Sequence, residues 1–264
     1  MVIDLRAQAR DLLLQCDPAA KAQGTRRLAL TGPVDTDAVL IEPVGIPGRP
    51  TRPALVPFSA LPRRSTASSQ GRAVLIHALA HIEFNAINLA LDVVWRFDGL
   101  PDAFYRQWVG VAREEALHFE LLRAHLQTLG HDYGDFPAHN GLWEMAEKTR
   151  HDPLARLALV PRTLEARGLD ASPPMQARLL AAGDTAAAGI LDIILRDEIG
   201  HVAVGNHWYR HLCAQRGLDP IATYAALAHA HGAPRLRGPF NLPARRAAGF
   251  DETELAVLQQ GAAV

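Results

Sequence analysis

Cysteine is nearly absent from this chain of 264 residues: Cys16 and Cys213 stand 197 positions apart and neither belongs to a CxxC. That spacing excludes a disulfide framework, a cysteine zinc site and a rubredoxin-type iron centre, and it fits a reducing compartment. Lysine is equally scarce. Lys21 and Lys148 face 25 arginines, a bias that reads as codon usage in a GC-rich genome rather than as an arginine-based binding surface. With 27 basic against 28 acidic side chains, the net charge of −1 gives no global electrostatic case for nucleic acid or an anionic membrane. No uncharged apolar run reaches the ~20 residues of a membrane span. The opening MVIDLRAQARDLLLQ carries Asp4 and Asp11, so it reads as an amphipathic helix and not as a signal peptide. A phosphate loop, a dinucleotide fingerprint and a Ser/His/Asp arrangement are missing too. The expectation is a soluble, cytoplasmic protein with no membrane partner.

What is present begins with enough apolar material for a core: 48% hydrophobic residues and a mean hydropathy of −0.01. Length allows one large domain or two small ones. Proline divides the chain into three zones. Residues 33–62 hold seven of the 18 prolines, which excludes a helix and predicts an extended wrap whose Val39, Leu40, Ile41, Val56, Phe58 and Leu61 want burial. Residues 71–216 carry helical periodicity, read as helices over about 71–97, 101–129, 142–167 and from just after Pro173-Pro174 to about 215. Pro161 predicts a kink or a 3₁₀ or π adjustment in the third. Residues 217–264 return to loop chemistry and end on a short helix opened by Asp251-Glu252. The predicted organisation is therefore an N-terminal helix plus wrap (1–70), a four-helix bundle (71–216) and a C-terminal loop with a short helix (217–264), the outer two packed on the bundle.

Histidine is the least expected abundance, 12 copies against 11 Glu. Each predicted bundle helix places a carboxylate in its apolar stripe: Glu83, Glu115, Glu165 and Glu198. Buried carboxylates are costly unless paired or bound to metal. Only two glutamates have histidine three positions later, Glu115-Ala-Leu-His118 and Glu198-Ile-Gly-His201. Glu83 precedes Glu115 by 32 residues and Glu165 precedes Glu198 by 33, so Glu83/Glu115/His118 and Glu165/Glu198/His201 form a pseudo-repeat offset by 82 or 83. One Glu from each of two helices and Glu-x-x-His from each of the other two is the ligand set of a di-iron or di-manganese carboxylate site. Carboxylate oxygens bridge and neutralise two divalent ions, imidazole suits iron or manganese, and the i, i+3 spacing puts Glu and His on one helix face. The acids preceding the repeated glutamates, Glu114 and Asp197, are candidates to orient the imidazoles: Asp197 for His118 and Glu114 for His201.

At these residues the sequence resembles the ferritin-like di-iron superfamily. It is most similar to the bacterial ferritin-like family catalogued as DUF455, through HALAHIEFNAINLALD, EEALHFELL, YGDFPAHNGLWEMAEKT, LVPRTLEARGLD, RDEIGHVAVGN and PFNLPARRAAGF. More distantly it resembles the di-iron hydroxylase of isopentenyladenosine in tRNA. The resemblance implies an all-α, antiparallel four-helix bundle with two iron ions, manganese being the alternative. It makes Glu83 and Glu165 terminal carboxylates, Glu115 and Glu198 bridges, and His118 and His201 terminal imidazoles. It further implies an oxygen-dependent oxidoreductase or hydroxylase. The expected partners are O₂ or peroxide, an external reductase or ferredoxin, and an organic substrate, either a small molecule or tRNA. A homodimer stays open. The competing readings are a ferroxidase or manganese catalase-like enzyme, or a non-catalytic metal-binding or storage protein.

The remaining candidates read as ordinary residues. His77 and His81 lie off the Glu83 face and are expected in packing or a second layer, His125 is a candidate to line the bundle near the site, and the His207/His211 pair is expected in solvent. Phe84 and Phe119 adjoin ligands. Arg235, Arg237, Arg245 and Arg246 make the tail locally basic, most simply as a solvated surface.

Overall fold

A computed structural model describes residues 4–261. The first three residues of the predicted N-terminal helix and the last three of the chain lie outside the described residues. All regular structure among the described residues is helical, apart from one isolated bridge between Leu55 and Ala138. By internal packing the chain divides into two units: the chain up to Trp143 together with Ala181–Ile190, and Glu144–Leu180 together with Leu191 onward.

In the first unit, α1 (Leu5–Leu13) starts at an Asp4 cap and α2 (Pro18–Arg26) at Asp17-Pro18, where proline loses no helix hydrogen bond. Composition alone missed α2. The unit is centred on α3 (Ser69–Arg96) and α4 (Asp102–Thr128), which pack together, with α1 against α3 and α2 against α4. Helix α3 is apolar and long enough to cross a membrane, yet 83% of its most apolar window is buried, as in a core helix. The predicted bounds of both long helices hold within two residues.

The proline-rich segment has no long helix, and of the six apolar side chains expected to be buried Leu40, Val56 and Leu61 are half-buried while the other three are exposed. Val39, Ile41 and Phe58 are 80%, 84% and 73% exposed. Two buried cations tether it through its carbonyls instead. Arg6 donates to the carbonyls of Asp35 and Ala38, both at 2.8 Å, and also to Val94 and Trp95 at the end of α3. Lys21 Nζ donates to Leu13 O, Gly48 O and Asn88 Oδ1 at 3.1, 2.8 and 2.6 Å. Gly48 sits so close to α1 that a Cβ would fall 2.0 Å from the Leu14 carbonyl oxygen. Burial of the Lys21 ammonium lowers its pKa to about 7.

The chain from Gly141 onward departs further from the predicted helix bounds. Short α5 (Gly141–Lys148) closes before a break, and α6 (Pro153–Leu159) restarts from Asp152-Pro153. A π-turn, Val160–Glu165, follows at Pro161 and leads into α7 (Ala166–Ala181), which runs through Pro173 and Pro174 instead of stopping there. The Leu169 carbonyl, which Pro173 cannot engage for want of an N–H, is taken by Asn241 Nδ2 at 3.1 Å. The chain turns at Gly183, with φ +79°, and α8 (Thr185–Gln215) follows. The C-terminal region is more helical than its loop chemistry implied: α9 (Pro220–Ala230) starts at Asp219-Pro220, α10 (Leu242–Ala247) at Asn241, and the predicted terminal helix α11 (Glu252–Gln259) at an Asp251–Glu254 capping box.

Candidate metal centre

Helices α3 and α4 bring Glu83, Glu115 and His118 into one group, with ligand atoms of all three within 4.8 Å of one another. Glu83 is 3% exposed and the other two are fully buried. His118 Nδ1 lies 3.2 Å from Glu83 Oε2 and 3.4 Å from Glu115 Oε2. The i, i+3 step on α4 places glutamate and histidine on the same face, and α3 delivers the third donor.

The electrostatics follow from crowding two carboxylates in the core. Burial, then repulsion from Glu115, raises Glu83 to about 7, although its hydrogen bond to His118 opposes the rise. Burial alone would lower His118, but its hydrogen bonds to Glu115 and Glu83 outweigh that and raise it. The imidazolium proton thus balances part of the carboxylate charge. A divalent cation does the same with more charge and more ligand bonds. Two hard oxygen donors and an imidazole suit iron, manganese or zinc, so these residues fit a metal ion.

The second unit carries the repeat partners. Glu198 and His201 are buried on α8, with His201 Nδ1 3.9 Å from Glu198 Oε2. Glu165 is the last residue of the π-turn and is half-buried. Of the two candidate orienting acids, Glu114 is exposed on α4, and Asp197 receives Arg196 Nε at 2.7 Å and Nη2 at 3.1 Å.

The aromatic residues beside the ligands pack against one another. Phe84 and Phe119 lie 5.3 Å apart by ring centroid, and each packs on Tyr133, at 5.3 and 5.1 Å. His77 and His81 hold the 131–139 loop beneath this layer, in the packing role expected of them. The Gly134 N–H donates to His77 Nε2 at 3.0 Å. His81 Nδ1 meets the Tyr133 hydroxyl at 2.9 Å, and its Nε2 donates to the His139 carbonyl at 3.0 Å. His125 pairs with Asp184 at 3.1 Å; of the pair expected in solvent His207 is exposed, but His211 is half-buried against the Trp208 ring.

The tail arginines require a correction. Arg245 is fully buried, with its guanidinium on Asp170 at 2.6 and 3.1 Å, and is not part of a solvated surface. Sequence reasoning also passed over Arg162, Asn206 and Glu254, a buried polar network on the π-turn, α8 and α11. Its one sequence signal is an arginine directly after a proline inside the apolar run LALVP.

These features define a class: an all-helical protein whose buried glutamates and histidines can hold a metal ion. The chain belongs to the family described as "Protein of unknown function (DUF455)", matched over residues 14–256. It is 53% identical over 215 residues to an "Uncharacterized protein" of Haemophilus influenzae, covering 78% of this chain and 74% of that one. No solved structure matches it.

Proposed function

We propose that the chain is a dinuclear carboxylate metalloprotein with a ferritin-like antiparallel four-helix arrangement, acting as an O₂-dependent di-iron oxidoreductase. The observation that carries the reading is the buried Glu83–Glu115–His118 group, a donor set of two carboxylates and an imidazole that could hold a metal ion. Its extension to two ions rests on the sequence repeat, which supplies Glu165, Glu198 and His201 at matching spacing.

In this reading Glu83, Glu115, Glu165 and Glu198 would hold the ions through their carboxylates, and His118 and His201 would complete the set as neutral imidazoles. The metal pair supplies redox chemistry on O₂ or peroxide when bound. The chain's own groups supply the surroundings. Phe84, Phe119 and Tyr133 would cover one side of the ligand group with mutually packed rings. Electrons are assigned to an external reductase or ferredoxin, and the organic substrate to a small molecule or tRNA.

The test is metal analysis of anaerobically purified protein, followed by O₂ uptake. Roughly two iron ions per chain are expected, with loss of at least one in Glu115→Ala and in Glu198→Ala. Protein that holds no metal under these conditions, with both variants unchanged, sinks the proposal. Ferrous-dependent O₂ uptake that only accumulates ferric mineral would assign a ferroxidase or storage role. Manganese with peroxide disproportionation would assign a catalase-like one.

A further inference from the structure

The π-turn Val160–Glu165 is pinned at three consecutive residues to three different helices of its own unit. Pro161 lies on Gly205 of α8, where a Cβ would come within 2.6 Å of the proline Cβ. Arg162 is fully buried and donates through Nη1 to Asn206 Oδ1 of α8 at 2.8 Å, and through Nη2 to Glu254 Oε1 of α11. Its guanidinium sits 5.0, 5.3 and 4.8 Å from the ring centroids of Tyr209, Tyr224 and Phe250. The other Glu254 oxygen takes Arg210 at 2.6 Å. Thr163 Oγ1 donates to the Ala158 carbonyl at 2.8 Å and lies 2.7 Å from the Tyr224 hydroxyl of α9.

That much fastening is out of proportion to a six-residue turn. A π-turn carries one residue more than the α-helix it interrupts, and relaxing it would rotate everything beyond by about 100° around the helix axis. Glu165 is the residue at which the turn hands over to α7.

We infer that Arg162, Thr163, Tyr224 and Glu254 are positioning residues for Glu165: by locking the π-turn onto α8, α9 and α11 they fix the direction of its carboxylate and so the metal affinity, without touching the metal. The inference rests on the reading of Glu165 as a ligand. It gives the C-terminal helices a task in the centre, because α9 and α11 contribute no predicted ligand of their own.

The experiment titrates manganese(II) into the full-length metal-free protein. Tyr224→Phe is the gentle arm, deleting one hydroxyl. Glu254→Asp is the severe arm, and loss of folding there leaves the decision with the gentle one. Each is made alone and with Glu165→Gln, and Arg246→Ala, which breaks an exposed ion pair with Glu252, is the control. Tyr224→Phe is expected to weaken manganese binding about tenfold, as changes behind metal ligands do, and to add nothing when Glu165 is already glutamine. Thr163→Val should match Tyr224→Phe, while Thr163→Ser, which keeps the hydroxyl, should restore wild-type affinity. A purely structural role predicts instead the same loss in both Glu165 backgrounds. Full additivity, or wild-type affinity in Tyr224→Phe and Thr163→Val, overturns the positioning role and leaves the metal reading standing. Wild-type protein that binds no manganese and no iron overturns the metal reading, and the positioning role with it.

Discussion

Charge inside the core governs this protein at the scale of single residues. Glu83 and His118 both hold protons more tightly in the folded chain than free in water, Glu83 because burial and Glu115 disfavour its charge. A group whose pKa rises on folding stabilises at low pH, and its contribution fades as pH climbs through the folded value. In the metal-free protein the Glu83 contribution is therefore gone above about pH 7, whereas that of His118 fades only as pH climbs toward about 11. Metal must displace those protons, so uptake should release protons and tighten as pH rises through about 7. Isothermal titration in buffers of different ionisation enthalpy measures that release, and affinity unchanged between acid and neutral pH would refute the mechanism. Arg6 is the second residue-scale case. Arg6→Met would leave the carbonyls of Asp35, Ala38, Val94 and Trp95 without their buried donor, at about 1–3 kcal/mol for each one that water cannot reach. Urea unfolding should show a loss of about 3 kcal/mol or more. A loss below half a kilocalorie would mean the wrap is held by something else. None of this was visible in composition, where arginine counts as a surface residue, whereas Arg6, Arg156, Arg162 and Arg245 are all fully buried.

Among the elements, periodicity served well where a helix is long and apolar on its inner face, as in α3 and α4. It served poorly where hydrogen bonds from distant residues rescue a proline. Pro173-Pro174 read as a start, but Asn241 covers the carbonyl that Pro173 strands, and α7 runs through them. Pro161 announced an adjustment correctly, because nothing local can replace its missing N–H. The Glu-x-x-His pairs were legible because spacing alone fixes a helix face. The network behind Glu165 was not, since Arg162 and Glu254 are 92 residues apart. Two predictions belong to this scale. Gly205→Ala improves helix propensity by about 1 kcal/mol yet drives a Cβ into Pro161. Overpacking should win by about 1–3 kcal/mol, and a variant as stable as wild type in urea would show that the π-turn gives way freely. The 131–139 loop rests on two neutral histidines, and burial lowers both His77 and His81 to about 4. A pKa lowered on folding means stability that is complete above the free value of 6.5 and lost as pH falls toward 4. Each histidine contributes at most roughly 3 kcal/mol of that loss. Proton NMR should find both imidazoles still neutral at pH 5.5, and a midpoint near 6.5 would contradict the burial argument.

For the whole molecule, a net charge of −1 conceals an interior where buried arginines, a lysine, carboxylates and histidines balance one another. Several of these charges meet a carboxylate, Arg245 at Asp170, Arg162 at Glu254 and Arg96 at Asp92, and Arg6 and Lys21 meet carbonyls. The Glu83–Glu115–His118 group is different. It gathers two carboxylates on one imidazole, a set that could hold a metal ion. Folding that retains such a group without metal forgoes stability, and ligand binding to the native state returns it by mass action. With free metal at a hundred times its dissociation constant, the native state gains about 2.7 kcal/mol. For a chain of this size each kilocalorie moves the melting temperature by about 2–4 °C, so manganese or ferrous iron should raise it by roughly 5–10 °C. A chelator should reverse the shift. Glu115→Ala should abolish it. Calorimetry with and without metal reads all four states. A shift that survives in Glu115→Ala would place the stabilising ion elsewhere on the chain, and an equal destabilisation of both metal-free and metal-treated protein would make Glu115 a packing residue and not a ligand.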